Sequence, residues 1–90
     1  MIFEWHSRKA VSNMRKHGVS FDEATTAFGD LRSITIPDPD HSVEEERYIL
    51  LGKSLRGRLL VVAHTEQGDR IRLISARQAS GPERRIYEEG

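Results

Sequence analysis

A chain of 90 residues, 37% apolar and 31% charged, is long enough for one packed domain and too rich in Ile, Leu, Val and Phe to stay disordered, so residues 1–90 are read as a single domain. It has no cysteine, which excludes a disulfide framework, a thiol nucleophile and every Cys-bearing zinc site. Its formal net charge is +0, its longest apolar run (Leu59 to Ala63) is far short of the ~20 residues of a membrane span, and Met1–His6 carries no signal pattern, so a cytoplasmic protein without membrane contact is expected.

Phe3-Glu4-Trp5 alternates apolar and polar and reads as an edge strand. Ser7 is placed to cap a helix that runs to about His17, with Gly18 at the left-handed stop. On that helix Ala10, Val11, Met14 and His17 form a buried stripe, and Lys9, Ser12, Asn13 and Lys16 a polar one. Ser20 and Glu23 form a capping box for a second helix, with Val19 stapled onto Ala24, and Phe21, Ala24 and Phe28 recurring until Gly29.

The period then changes to two. Leu31–Ile36 alternates until Pro37-Asp38-Pro39-Asp40 breaks it, and Arg47–Lys53, Arg58–Thr65 and Arg70–Ala76 are three further strands joined by short Gly-containing loops. Leu59–Ala63 is apolar at both parities and therefore belongs at the centre of the sheet, covered on both faces. Ser80, Pro82 and Glu83 start a last short helix through Tyr87. The outline is an α+β domain: two helices, a four-stranded antiparallel meander, and a C-terminal helix, with helices against one sheet face.

A hairpin that closes Lys53 on Arg58 sets Arg47 opposite His64 and turns all four to one face. For the last hairpin two registers stay open. A four-residue loop pairs Thr65 with Arg70 and sends Arg70 and Arg72 to the face opposite His64; a three-residue loop gathers Arg47, His64 and Arg72.

The neutral total hides segregation. Arg8–Lys16 holds four cations and no acid, Asp38–Glu46 five acids and no cation, and Lys53–Arg77 six cations against Glu66 and Asp69. Eleven of the fourteen cations are Arg, the side chain that grips phosphate with two parallel bonds. Asp38, Asp40 and His41 form the one compact ligand-like cluster, and it reads as a Pro-Asp turn rather than a metal cage.

Phe3-Glu4-Trp5, Lys9, Asn13 and Lys16-His17-Gly18-Val19-Ser20-Phe21 form a first block. Gly57-Arg58, Val61-Val62, His64-Thr65-Glu66 and Arg70–Arg77 form a second, and Glu83-Arg84-Arg85 with Tyr87 a third. In this order and spacing, from Phe3 to Glu89, the chain resembles the BrnT family of bacterial type II toxins. One departure is His6, where the family commonly has Asp, which passes the first helix cap to Ser7. The resemblance implies a RelE-like fold and a ribonuclease that blocks translation when free. It also implies a BrnA-type antitoxin with a ribbon-helix-helix part, promoter DNA bound only through that antitoxin, and a dimer of heterodimers. The alternative is a catalytically inactive co-repressor that keeps only the antitoxin-binding surface.

The reaction expected is metal-independent cleavage of RNA by its own 2′-hydroxyl, without a cofactor. It needs a base, an acid and cations for the charge growing on phosphorus. Arg72 and Arg77 are candidates for phosphate stabilisation, Tyr87 for donation to the phosphate, Lys9 for the backbone or the proton work, and His64 for acid–base chemistry. Asn13, Lys16, Arg58 and Arg70 are candidate RNA contacts. His17 is assigned a cation-friendly role at the end of its helix, and Phe3 and Trp5 a place in the core.

Overall fold

The computed structural model describes residues 1–38, 40 and 46–90. In chain order the elements are β1 (Ile2–Glu4), α1 (Ser7–His17), α2 (Phe21–Ala27), β2 (Ile34–Pro37), β3 (Arg47–Lys53), β4 (Leu59–Gln67), β5 (Arg70–Gln78) and α3 (Gly81–Glu89). The strands form one sheet of order β1-β5-β4-β3-β2. The expected antiparallel meander is its larger part, β2 to β5, but the RelE-like outline of four antiparallel strands is incomplete here. β1 adds a fifth strand that pairs in parallel with β5, Ile2 beside Arg70 and Glu4 beside Arg72. No described helix is long and apolar enough to cross a membrane.

β4 is central, and its two parities feed two cores. Leu60 and Val62 join Leu50, Leu73 and Ala76 beneath α2's Phe21, Ala24 and Ala27. Leu59 and Val61 pack with Leu51 against Tyr87 of α3. The helices therefore cover both faces, not one: α3 follows β5 directly and crosses to the side that α1 and α2 leave open. Phe3 and Trp5 pack against the first core, Phe3 edge-on to Phe28 at 5.0 Å and Trp5 edge-on to Phe21 at 5.8 Å.

Local chemistry fixes most helix ends. α1 ends where Gly18 takes φ 68° and donates to the Met14 carbonyl at 2.9 Å. Its N-cap is His6, which makes no side-chain cap, and Ser7 is its first helical residue. α3 has a complete capping box between Ser80 and Glu83. α2 has half of one: Ser20 accepts from the Glu23 N–H at 3.0 Å, while the Glu23 carboxylate turns away to Arg58 and Ser54. Gly52 lets α2 approach β3, since a Cβ there would lie 2.8 Å from the Ala27 carbonyl oxygen.

Three registers depart from expectation. β2 starts at Ile34, not Leu31, because Asp30 accepts from the Arg32 N–H at 3.0 Å and its carbonyl from the Ser33 N–H, folding residues 30–33 into a turn. Between β3 and β4, Lys53 pairs with Leu59 rather than Arg58, because the loop is closed inside the strands by Ser54 N–H to the Arg58 carbonyl. Arg47 thus sits opposite Thr65, and Tyr48 opposite His64. Between β4 and β5 the turn is shorter than either expected loop: Gln67 pairs with Arg70 around Gly68-Asp69, with Gly68 at φ 62°. A bulge follows, with Ile74 unpaired between Leu73↔His64 and Ser75↔Ala63. The Pro-Asp break begins with Asp40 N–H donating to the Asp38 carboxylate at 3.2 Å; Pro39 and His41 to Glu45, including the His of the ligand-like cluster, lie outside the described residues.

Candidate functional site

β1 covers β5 only as far as Arg72, so the edge of β5 beyond it needs other partners for its backbone. Asn13 of α1 supplies them. Its Nδ2 donates to the carbonyls of Ala76 (2.8 Å) and Val19 (2.9 Å), and its Oδ1 accepts from the Ala76 N–H (3.0 Å). A planar amide here does the work of one more peptide in the ladder. The expected buried stripe of α1 is consequently rotated. Asn13 is 6% exposed, whereas Val11 and Met14, 55% and 48% exposed, and His17 face outward.

This clasp leaves a cleft of about 180 Å³ between α1 and the bulge of β5, lined by Lys9, Ser12, Asn13, Lys16, His17, Ile74 and Ser75. Lys9, Ser12, Lys16 and His17 recur on one helical flank at i, i+3, i+7 and i+8. Neither lysine has a carboxylate partner among the described residues. By register, Arg72, Ser75 and Arg77 of β5 share one sheet face, opposite Thr65, Ala63 and Val61. Arg47 stands on the other side of Thr65 on that same face. Arg47 and Arg72 thus share a face, as in one of the two registers left open, but His64 points to the opposite face.

Several expected site residues are already engaged. His64 is fully buried, with Nε2 3.0 Å from the Glu66 carboxylate, Nδ1 3.2 Å from the Val62 carbonyl, and its ring between Phe28 and Tyr48. Tyr87 is buried and donates to Asp30 at 2.5 Å, which raises the phenol's pKa. Asp30's own carboxyl is pulled up by burial, but the Tyr87 hydroxyl and the Lys53 and Arg32 N–H groups outweigh this and hold it below the ordinary value. Arg77 meets Glu83 through two bonds of 2.8 Å and is raised by them, while Arg77, against the opposing effect of burial, brings Glu83 down to about 2. Arg58 is clamped on buried Glu23 and on the Gly18 carbonyl, and this clamp lowers Glu23. Arg70 pairs with Glu4 across the β1–β5 seam at 3.1 Å. Asn13, expected on an open polar face, holds backbone instead.

Lys9 and Lys16, expected on one polar stripe of α1, both line the cleft, Arg72 lies on the adjoining sheet face, and the other candidates are engaged in internal bonds in these positions. Sequence reasoning missed Ser75 and the position of His17. The signal for His17 was present in its eight-residue spacing from Lys9, masked by counting Met14 as buried. A larger depression of about 600 Å³ opens near Met1, Phe3 and Leu55, where Thr26 accepts from Leu55 N–H and donates to the Glu23 carbonyl, Asp30 is engaged as described, and Lys53 is the one cationic side chain among the described lining residues. The cleft beside α1 is the better candidate, because two lysines, Lys9 and Lys16, line it together.

The family model described as "Ribonuclease toxin, BrnT, of type II toxin-antitoxin system" matches residues 5–83. The chain belongs to the BrnT family. Its α1, the bulged β5 and the start of α3 all fall within the matched span. Among solved structures, the BrnT ribonuclease toxin of Brucella abortus has a similar fold, with a TM-score of 0.68 and 21% identity over 89% of this chain and 99% of that one. A comparison with curated protein sequences gave no match. Membership places the chain among the ribonuclease toxins of type II toxin–antitoxin systems, and an antitoxin partner follows from that class.

Proposed function

We propose that this BrnT protein cleaves RNA in the cleft between α1 and β5, by attack of a ribose 2′-hydroxyl on the adjacent phosphorus and without a metal. The supporting observation is the pair of lysines, Lys9 and Lys16, that face Ser75 across the cleft with no carboxylate partner among the described residues. The nucleophile belongs to the substrate. The protein has to bind the phosphodiester, neutralise charge on its oxygens and move a proton. Lys9 and Lys16 supply the charge from the helix, and Arg72 adds a guanidinium from the sheet. Cleavage of this kind blocks translation in the cytoplasm. A BrnA-like antitoxin with a ribbon-helix-helix part covers the cleft, brings promoter DNA to the complex, and by its own pairing makes a dimer of heterodimers.

Purified protein incubated with RNA in excess chelator tests this. Fragments with 2′,3′-cyclic phosphate and 5′-hydroxyl ends are expected, with a large loss in the Lys9→Ala, Lys16→Ala double variant. Cleavage that needs added divalent cation and leaves 3′-hydroxyl ends refutes the mechanism. The engagement of Arg77, His64 and Tyr87 in internal bonds favours a second reading, the co-repressor without catalysis. That reading gains if the wild-type chain leaves RNA intact while still binding its antitoxin.

A further inference from the structure

We infer that His17 is the catalytic base of the cleft, the group that takes the proton of the attacking 2′-hydroxyl. The inference rests on the reading of the cleft as the RNA site and names a residue that reading leaves open. The reaction needs a group that accepts and returns a proton near neutral pH, and imidazole is the side chain suited to this. Two of the other histidines are placed away from the cleft. His64 is sealed between Phe28, Tyr48, Glu66 and Val62, and His6 precedes the first turn of α1 and does not line the cleft. His17 is exposed, lines the cleft with both lysines, and has no hydrogen-bond or ion-pair partner among the described residues.

Its neighbours suit the role. From α1, Lys9 and Lys16 line the same cleft; from β5, Ile74 and Ser75 bring no charge. Arg58 reaches the adjacent Gly18 carbonyl at 3.1 Å, its charge answered by Glu23. The lysines hold the phosphate, while the imidazole one residue beyond Lys16 meets the sugar. In the step itself the imidazole takes the 2′-hydroxyl proton, and the 2′-oxygen forms a bond to phosphorus. The bond from phosphorus to the 5′-oxygen breaks, and its electron pair leaves on that oxygen, which takes a proton from solvent. The imidazolium then returns its proton to solvent. The products are a 2′,3′-cyclic phosphate and a 5′-hydroxyl, with no net change in protons.

The test compares His17→Gln and His17→Ala with wild type on a short RNA, with circular dichroism to check folding. An exposed position should tolerate either change. Binding is read with the same oligonucleotide carrying a 2′-deoxy sugar at the scissile position, which cannot react. Expected are a fall in kcat of about 10²- to 10⁴-fold, binding of the inert oligonucleotide within about threefold of wild type, loss of the acid limb of the pH–rate profile, and partial rescue of His17→Ala by added imidazole. If His17→Gln cleaves within tenfold of wild type at every pH while Lys9→Ala, Lys16→Ala loses cleavage, His17 is not the base and the cleft reading survives. If the lysine variant cleaves normally, or wild type cleaves nothing, the cleft reading fails and takes this inference with it.

Discussion

Asn13→Ala is the most informative single change to the framework. It removes three hydrogen bonds, to Ala76 N–H, the Ala76 carbonyl and the Val19 carbonyl, at a position only 6% exposed. Each bond contributes about 1 kcal/mol net, so the loss is about 3 kcal/mol. A chain of this length is expected to have about 5 to 13 kcal/mol in all. At about 4–8 °C per kcal/mol, the melting temperature should fall by roughly 12–24 °C. Asn13→Asp is expected to be worse near neutral pH. Its oxygens still accept from Ala76 N–H but now face two carbonyls, and acid should partly restore it by returning a proton to donate. Urea and thermal unfolding followed by circular dichroism measure both. A loss under about 1 kcal/mol for Asn13→Ala, or an Asp variant as stable as wild type at pH 7, would refute the account of Asn13 as the clasp between α1 and β5.

Three further outcomes follow from the bonds described. Glu83, lowered from 4.5 to about 2 chiefly by Arg77, contributes stability that is full above its unfolded value and is lost as pH falls toward 2; with Arg77 partly exposed this amounts to about 1 kcal/mol, and Glu83→Gln should flatten the stability–pH curve over that acid range in denaturant titrations. Gly52→Ala places a Cβ 2.8 Å from the Ala27 carbonyl and 3.1 Å from Leu50 and Ser33, and should cost about 1–3 kcal/mol in urea unfolding. Tyr87→Phe removes the bond to Asp30 and should cost about 1.5–3 kcal/mol while leaving the cleavage rate of the folded protein unchanged; a folded variant without activity would show that the phenol takes part in chemistry.

Features set within a few residues were legible from sequence. Gly18 ends α1, Ser80 and Glu83 open α3, and the double-parity run of Leu59–Ala63 lies mid-sheet, because each depends on its own neighbours. Features set by one residue in a loop were not. The two hairpins each closed one residue away from an expected register, and that shift alone separated His64 from Arg47 and Arg72. The parallel pairing of β1 with β5 joins distant segments and has no local signature. In the candidate site, the shared flank of Lys9 and Lys16 was legible from their helical spacing. The burial of Asn13 was not, since a polar side chain buried on backbone looks the same in sequence as one in solvent. The carboxylate partners of Arg77 and Arg58 were not legible for a related reason: Glu83 and Glu23 reach them only once α3 and α2 are docked.

The two walls of the cleft come from opposite ends of the chain. α1 is made early in synthesis, but it cannot dock until Ala76 is available to Asn13, and β1 has no partner until Arg70–Arg72 has been added. A ribosome bearing the first two thirds of this polypeptide therefore carries both lysines without the surface that completes their pocket. The cleft proposed above to bind RNA is therefore complete only once Ser75 and Ala76 have been added.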